Sequence, residues 1–525
     1  MRKIEPEFIT GMGYIGASSG VLYHMGGAGE QTVVTGNPAL LENVKGNRFT
    51  SLTLHGISSQ GSTTGAQLFN VSEILAETWL STETPVEEHA VGYWTSGYIP
   101  VKTGNYICSS KGSARGWTYD ADKNGLRYIA NSGGSPIPIK EGEAFIRVTG
   151  ANTADPQNFM FNEGNSIKPY EPYTGGKPSP SPQYPQEIKS AGQGKTIGVE
   201  VLGKNLLNPL RFFSGRTHNG ITWTVKNNGE IVCEGTALGD SFMGAAILYP
   251  DVRWLKIPAG RYVLSGSGEH VMVYINTVSL NGDKENAYYC QYNSSIKCVF
   301  TEDVYITLQA TVRSGETVAE TVCPQLESGD TATSYEPYKP AQTLIIPTPN
   351  GLPGIPVSSG GNYTDADGQR WMCDEVDFKK GVYVQRVATE TPKAQWSSFV
   401  ETADVPNRYR ITGALINKYR SCSDKCLISH GIYTDWGASP GWTLNSGAFY
   451  YHPEEDVTKE EAKEQILGFI NSANPLTFLG QLETPIEIPL TTEQLAAYKA
   501  LRTYSPTTTV ANDAGAGMSV GYRRK

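Results

Sequence analysis

Three groups of residues in this sequence have types and spacings that could do chemistry. In "SCSDKCLISH", Cys422, Cys426 and His430 are potential metal ligands. A structural zinc needs four ligands in a tetrahedron, usually supplied as two close pairs. The only later histidine is His452 in "FYYHPEED", so no metal is expected. Asp374, Glu375 and Asp377 form an acidic run, and glycoside hydrolysis needs two carboxylates flanking one bond. Alternation along a strand sends Asp374 and Glu375 to opposite faces, so the run reads as a solvated strand edge. The third group is "YTDWGASPGWTLNSGAFYY", where Tyr433, Trp436 and Trp442 stand in a Gly-, Ser- and Pro-rich stretch typical of an exposed loop. Flat aromatic faces flanked by Asn, Asp and Gln hold sugar rings, which makes these three the candidate glycan-binding residues. The competing reading packs the same rings into the domain's own core. Trp94, Trp117 and Tyr119 are further aromatics of that kind.

Other chemistries find no footing. There is no Gly-x-Ser-x-Gly elbow, and the seven histidines are scattered without proposing an acyl-transfer triad. "GGAGEQT" lacks the Gly-Lys-Ser/Thr ending of a phosphate loop, and "GMGYIG" precedes no helical pattern. In "DADG", Gly368 directly follows Asp367, where a calcium loop needs alternate ligands before its glycine, so a plain turn is expected. No catalytic residue and no cofactor is expected, and binding fits the 29 tyrosines and 9 tryptophans better than catalysis does. A net charge of −9 without long like-charge blocks argues against a nucleic-acid partner. The opening "MRKIEPEFITGMGYIG" carries no apolar run, so neither a signal peptide nor membrane insertion is expected. The eight cysteines are expected to be buried thiols of a protein folded in a reducing cytoplasm.

The elements that must position these residues are mostly strands. A chain of 525 residues exceeds one ordinary core, and its 18% charged fraction with 57 glycines and 31 prolines favours β-structure punctuated by turns. One pattern occurs twice. The first copy runs from "AQLFNVSEI" through "YIPVKTGNYI" and "EAFIRVTG" to "NEGNSIKPYEPY". The second runs from "GKNLLNPL" through "LKIPAGRYVLSG" and "DVYITLQAT" to "QLESGDTATSYEPY". Each reads as one β-sandwich, preceded by a lead strand in which Leu52 and Leu54, or Ile197, Val199 and Val201, alternate. The Tyr-Glu-Pro-Tyr block is expected to seal each sandwich edge with two aromatic rings. "PSPSPQYPQ" is expected to hold an extended, polyproline-like path as a stiff spacer. Tyr363 and Thr364 lead into an Asp367-Gly368 hairpin turn from which Trp371 returns. Thr458 with Glu461, and Thr491 with Gln494, form capping boxes before two short helices.

The expected fold is therefore all-β and multidomain, with tandem β-sandwiches joined by Pro-rich linkers and a C-terminal β-rich domain carrying the two helices. The boundaries are 1–40 Gly-rich, 41–175 first sandwich with its lead strand, 176–188 linker, 189–339 second sandwich, 340–380 linker and hairpin, and 381–525 C-terminal domain.

Taken together, "NEGNSIKPYEPYTGGKPSPSPQYPQEI", "NLLNP" with "QLESGDTATSYEPY", the hairpin "NYTDADGQRWMCDEVDF" and "PIEIPLTTEQLAAYKALRTYSPTTTVANDAGAGM" resemble modular tail and baseplate proteins of phages and prophages of Gram-positive bacteria. The resemblance covers most of the chain beyond about residue 40. It implies jelly-roll, carbohydrate-binding-module-like sandwiches in a homotrimeric virion structural protein. The Gly-rich opening would dock onto other virion proteins, and a host cell-wall or surface polysaccharide would be the partner. The family has no short catalytic motif to transfer, and this chain lacks the coiled coil or β-helical shaft of many fibres, which favours a compact appendage. Two other classes stay open: a head decoration or spacer that binds no glycan, and a polysaccharide depolymerase.

Overall fold

The computed structural model describes residues 22–23, 31–109, 115–130, 134–151, 156–209, 215–244, 255–257, 259–279, 285–392, 398–402, 405–412, 418–420, 426–431, 441–445 and 448–525. The fold is all-β, with two α-helices among the described residues. None of its described helices is long and apolar enough to cross a membrane. The chain divides into two compact units: Met1–Ser58 with Ser190–Val387 and Thr484–Lys525, and Ser59–Lys189 with Ala388–Glu483.

The first unit is built on a two-sheet scaffold. One sheet runs, in spatial order, Gln31–Thr35, Gly517–Arg523, Ser51–His55 and Glu375–Asp377, and the other runs Gln342–Leu352, Ile188–Gly203, Thr508–Asn512 and Ala39–Leu41. Period-two sequence makes each strand one-sided. Leu52, Leu54, Met518 and Val520 from one sheet, and Ile197, Val199, Val201, Leu344 and Ile346 from the other, share a core in which none is more than 2% exposed.

The scaffold strands come from separated stretches of chain, and the chain's excursions return beside their departure points. The Ser58 and Ser190 hydroxyls are 2.8 Å apart, and the Ala191 amide donates to the Ile57 carbonyl at 2.9 Å. Val201 pairs with Gln342, and the Leu490 amide donates to the Gly381 carbonyl at 2.9 Å. The end-to-end arrangement expected from the sequence is thus replaced by insertion. Residues 340–380 contribute scaffold strands rather than only a linker, and the helices Lys459–Ile470 and Thr492–Ala500 fall in different units. Long-range pairing is the cause: Ser51–His55 and Gly517–Arg523 carry matching one-sided patterns and pair in register despite the intervening chain.

Within the same unit, the second sandwich-like module lies between Gly203 and Gln342. Its largest sheet orders Ser241–Gly244, Val304–Val312, Val271–Ser279 and Glu285–Cys290, and a smaller one orders Ser295–Phe300, Gly260–Ser265 and Gln325–Ser328. Trp223, Val273, Ile275, Leu308 and Leu326 lie in its core. In the second unit the first sandwich repeats this plan. Arg115–Tyr119, Phe145–Ala151 and Glu87–Thr95 lie in one sheet, and Ile137–Ile139, Gly104–Cys108 and Phe161–Glu163 form the other. The remainder of that unit packs Lys459–Ile470, through Ala462 and Ile466, on strands that include Gly441–Asn445 and Ala448–His452.

The repeated blocks close the two sandwiches with an amide latch. Gln67 Oε1 accepts from the Phe69 and Phe161 amides, both at 3.1 Å, and its Nε2 donates to the Phe159 carbonyl at 2.8 Å. Asn205 Oδ1 accepts from the Leu207 and Leu326 amides at 3.0 and 3.3 Å, and its Nδ2 donates to the Pro324 and Glu336 carbonyls, both at 3.1 Å. The glutamate of each block ties the ends together. Glu171 accepts from the Thr64 and Ala66 amides, and buried Glu336 pairs with Lys204 at 3.6 Å. Tyr170 is 46% exposed, so the expected two-ring seal does not form in the first block; in the second, half-buried Tyr335 donates to the Asn228 carbonyl at 2.8 Å.

The proline ladder also departs from expectation. Ser179 and Thr63 exchange both backbone hydrogen bonds, the Ser181 amide donates to Tyr184 O at 3.2 Å, and Ser179 Oγ donates to the same oxygen at 2.7 Å. Alternating serines supply local partners that bend the path into a packed loop. The hairpin forms as expected, with Tyr363 opposite Trp371. Asp365 shapes its turn by accepting from the Asp367 and Gln369 amides. Both capping boxes are present.

Candidate functional site

Of the sequence-predicted glycan residues, Tyr433 and Trp436 lie outside the described residues. Trp442 is a core residue and not a loop platform. It sits on a strand, is 1% exposed, and packs 4.8 Å from Tyr451 and 6.2 Å from Phe449. Trp94, Trp117 and Tyr119 are buried too, and Trp117 Nε1 donates to the Ser81 carbonyl at 2.7 Å. Of the sulfur and imidazole set, Cys422 lies outside the described residues, while Cys426 is a buried thiol and His430 bonds Ser429 Oγ at 2.8 Å. No disulfide joins any of the seven described cysteines.

The acidic run is not a solvated edge. Asp374 is wholly buried and accepts from the Arg386 and Val387 amides and the Tyr383 hydroxyl. Burial pushes its pKa up to about 6 against these hydrogen bonds. Glu375, on the opposite face, takes Arg386 Nη2 at 2.9 Å and Asn362 Nδ2 at 3.0 Å. Beside it the fold assembles a line that the sequence did not propose: Ser519 Oγ lies 3.0 Å from His55 Nε2, whose Nδ1 is 3.8 Å from Glu375. The order is that of a hydrolase triad, but the setting is structural. His55 is stacked 4.2 Å from Tyr363, and burial, with Arg386 nearby, lowers its pKa to about 3, far below that of a working base. Ser519 lies within a strand paired on both sides rather than on an exposed elbow.

The strongest binding geometry lies on the second sandwich. In Val271–Ser279 and Val304–Val312, Val273, Ile275, Ile306, Leu308 and Ala310 face the core. The alternate residues Tyr274, Asn276, Thr307 and Gln309 therefore share the other face. Tyr274 is opposite Gln309, and Asn276 is opposite Thr307. The neighbouring strand places Tyr289 opposite Tyr274, with ring centroids 5.0 Å apart. The Tyr274 hydroxyl donates to Gln309 Oε1, and burial followed by the neighbouring Tyr289 raises its pKa.

This face has a wet rim and a dry floor. Tyr289 is 46% exposed and Phe242, opposite Thr311, is 40% exposed, whereas Asn276 is 7% and Thr307 2% exposed. Asn276 Nδ2 and Thr307 Oγ1 are both buried without a hydrogen-bond partner. Leaving such groups unmade costs about 1–3 kcal/mol each. Both are sealed from solvent, so the surface this face presents is that of exposed Tyr289 and half-buried Tyr274. In the first sandwich, by contrast, Trp117 is capped by Ser81 and Arg147 is 4% exposed, held by Glu87 at 2.5 Å and by the Ser96 carbonyl at 3.0 Å. The signal in the sequence was the filling of alternate outward positions in "VMVYINTV" and "VYITLQATV" by Tyr, Asn, Thr and Gln instead of Lys and Glu.

No protein-family model matches this chain, and no curated protein is similar to it.

Proposed function

We propose that this chain is a structural protein of a phage tail tip or baseplate that holds a host-surface polysaccharide on the outward sheet face of its second sandwich. The observation carrying the binding part is the pair of Tyr274 and Tyr289 rings, 5.0 Å apart on the outward face, with Tyr289 exposed. Aromatic rings present flat apolar area to the C–H face of a sugar. The virion assignment is supported by the repeated sandwich blocks and closing segments that resemble modular tail proteins. The reading includes jelly-roll topology in both sandwiches, particle attachment through residues 1–40, and assembly as a homotrimer.

The test is binding of the purified full-length chain to Gram-positive cell-wall polysaccharides, with released reducing sugar measured in parallel. Saturable binding without sugar release, weakened by Tyr289→Ala, is the expected result. Release of sugar would move the assignment to a depolymerase, and absence of binding to any wall would move it to a spacer or head decoration.

A further inference from the structure

Asp374 sits where separate stretches of the scaffold meet. Its backbone bridges two of them: the Gly56 amide donates to the Asp374 carbonyl at 2.8 Å, and the Asp374 amide donates to the Pro353 carbonyl at 3.0 Å. Glycine is required at that crossing, because a Cβ on Gly56 would fall 2.0 Å from the Pro353 carbonyl oxygen. Two residues on, Ser58 Oγ accepts from the Gly354 amide at 3.1 Å. The Asp374 side chain reaches a third stretch. Its Oδ1 accepts from the consecutive Arg386 and Val387 amides at 2.7 and 2.9 Å, and the Tyr383 hydroxyl donates to Oδ2. The strand Val382–Glu390 loses its alternation there, since Val384 and Val387, three apart, are both buried.

Ser58 and Val387 are the residues at which the chain leaves the first compact unit. One wholly buried residue therefore ties the roots of both departures. Its carboxylate is held by two amides and a phenol, while the guanidinium of Arg386 donates to Glu375 at 2.9 Å. The other titratable groups around it are Cys373 and Asp377 on its own stretch and His55 on the neighbouring strand, which is bonded to Ser519 Oγ at 3.0 Å and stacked on Tyr363. An ionised carboxylate among neutral donors is costly to bury, and burial raises the Asp374 pKa from 3.8 to about 6 against those hydrogen bonds.

We infer that Asp374 is a shared fastener: the backbone at Gly56 and at Arg386 and Val387 opens locally as one unit, and acidification holds it shut. The device is independent of what the protein binds. Opening admits water to the carboxyl and restores its ordinary acidity, so the closed form binds a proton more tightly than the open one. Closure is strengthened below the folded value and weakened as pH rises through about 6. With His55 kept in place by Ser519 and Tyr363, opening falls about fiftyfold from pH 7 to pH 4. Opening that freed His55 as well would have the opposite sign, because burial lowers the pKa of that group to about 3.

The experiment is native-state hydrogen exchange of the full chain between pH 4 and pH 7, corrected for intrinsic exchange rates and resolved by fragmentation to single amides. The expected result is one opening free energy shared by the Gly56, Arg386 and Val387 amides, lower than that of the scaffold amides of Val199 and Val201, with opening about fiftyfold rarer at pH 4 than at pH 7. Asp374→Asn, nearly isosteric and never charged, should abolish that pH dependence, and His55→Gln should leave it intact. Different opening free energies at Gly56 and Val387 in the wild type would overturn the shared fastener, and that measurement needs no variant. A free energy equal to that of Val199 and Val201 would show that no local unit exists. Opening that increases on acidification, or a pH profile unchanged in Asp374→Asn, would overturn the role given to the carboxyl proton.

Discussion

Replacing Asn205 by alanine tests the claim that an amide latch joins the start of each sandwich to its end. The Asn205 side chain is 1% exposed and makes four hydrogen bonds to backbone groups, of Leu207, Leu326, Pro324 and Glu336. At about 1 kcal/mol for each backbone partner left without its bond, Asn205→Ala costs about 4 kcal/mol. That is a large share of the roughly 5–15 kcal/mol that holds a domain folded. Gln67 makes three such bonds, to Phe69, Phe161 and Phe159, so Gln67→Ala costs about 3 kcal/mol by the same reckoning. In a chain of several modules a single melting curve is ambiguous, so the assay is native-state hydrogen exchange resolved by segment. Asn205→Ala should lower protection across Gly260–Ser265 and Gln325–Ser328 while leaving Gly104–Cys108 unchanged, and Gln67→Ala should do the reverse. A loss below about 1 kcal/mol in both variants, or a loss spread evenly over both sandwiches, would refute the latch.

Two further outcomes follow from the packing and the buried charges. Trp442→Ala should destabilise its own module by about 3–5 kcal/mol, read as lost exchange protection in Ala448–His452 and Lys459–Ile470, and any fall in glycan binding should track that unfolding. Asp374 and His55 should titrate in opposition. The raised pKa of Asp374, about 6, gives stability present below the unfolded value near 3.8 and lost as pH rises through 6; the lowered pKa of His55, about 3, gives stability present above 6.5 and lost as pH falls. Between pH 6 and 4 acidification should therefore destabilise Asp374→Asn more steeply than wild type, and stabilise His55→Gln relative to it, in urea unfolding followed at several pH values.

Local structure was legible where a residue's neighbours in sequence decide its conformation. The alternation of Leu52 with Leu54, the Asp367-Gly368 turn before Trp371, and the Thr458 and Thr491 boxes depend on contacts a few residues away, and all appear as expected. The scaffold was not legible, because a period-two pattern states that Met518 faces a core without stating that Leu54 shares it. The buried acids failed for a related reason: Asp374 looks like a surface residue until Arg386, Val387 and Tyr383 are folded around it. The candidate site was half visible, since Tyr274 and Tyr289 are aromatic in any reading. That Asn276 and Thr307 are dry and unpartnered is a property of the assembled sheet alone. Trp442 misled because glycine and serine neighbours suggest a loop, while its alternation with Leu444 puts both into a core.

The pairing of Gln31–Thr35 with Gly517–Arg523 also fixes how the chain carries mechanical load. Gln31 lies opposite Arg523 and Thr35 opposite Ser519, so a pull between these two ends peels the pair open from one side instead of shearing it along its length. Peeling loads the cross-strand bonds one after another and yields at low force. The inserted sandwiches branch off beyond this junction, at Ser58 and Gly203, and carry no tension until the junction has opened. The sheets of an insert would thus keep their geometry while this strand pair is strained.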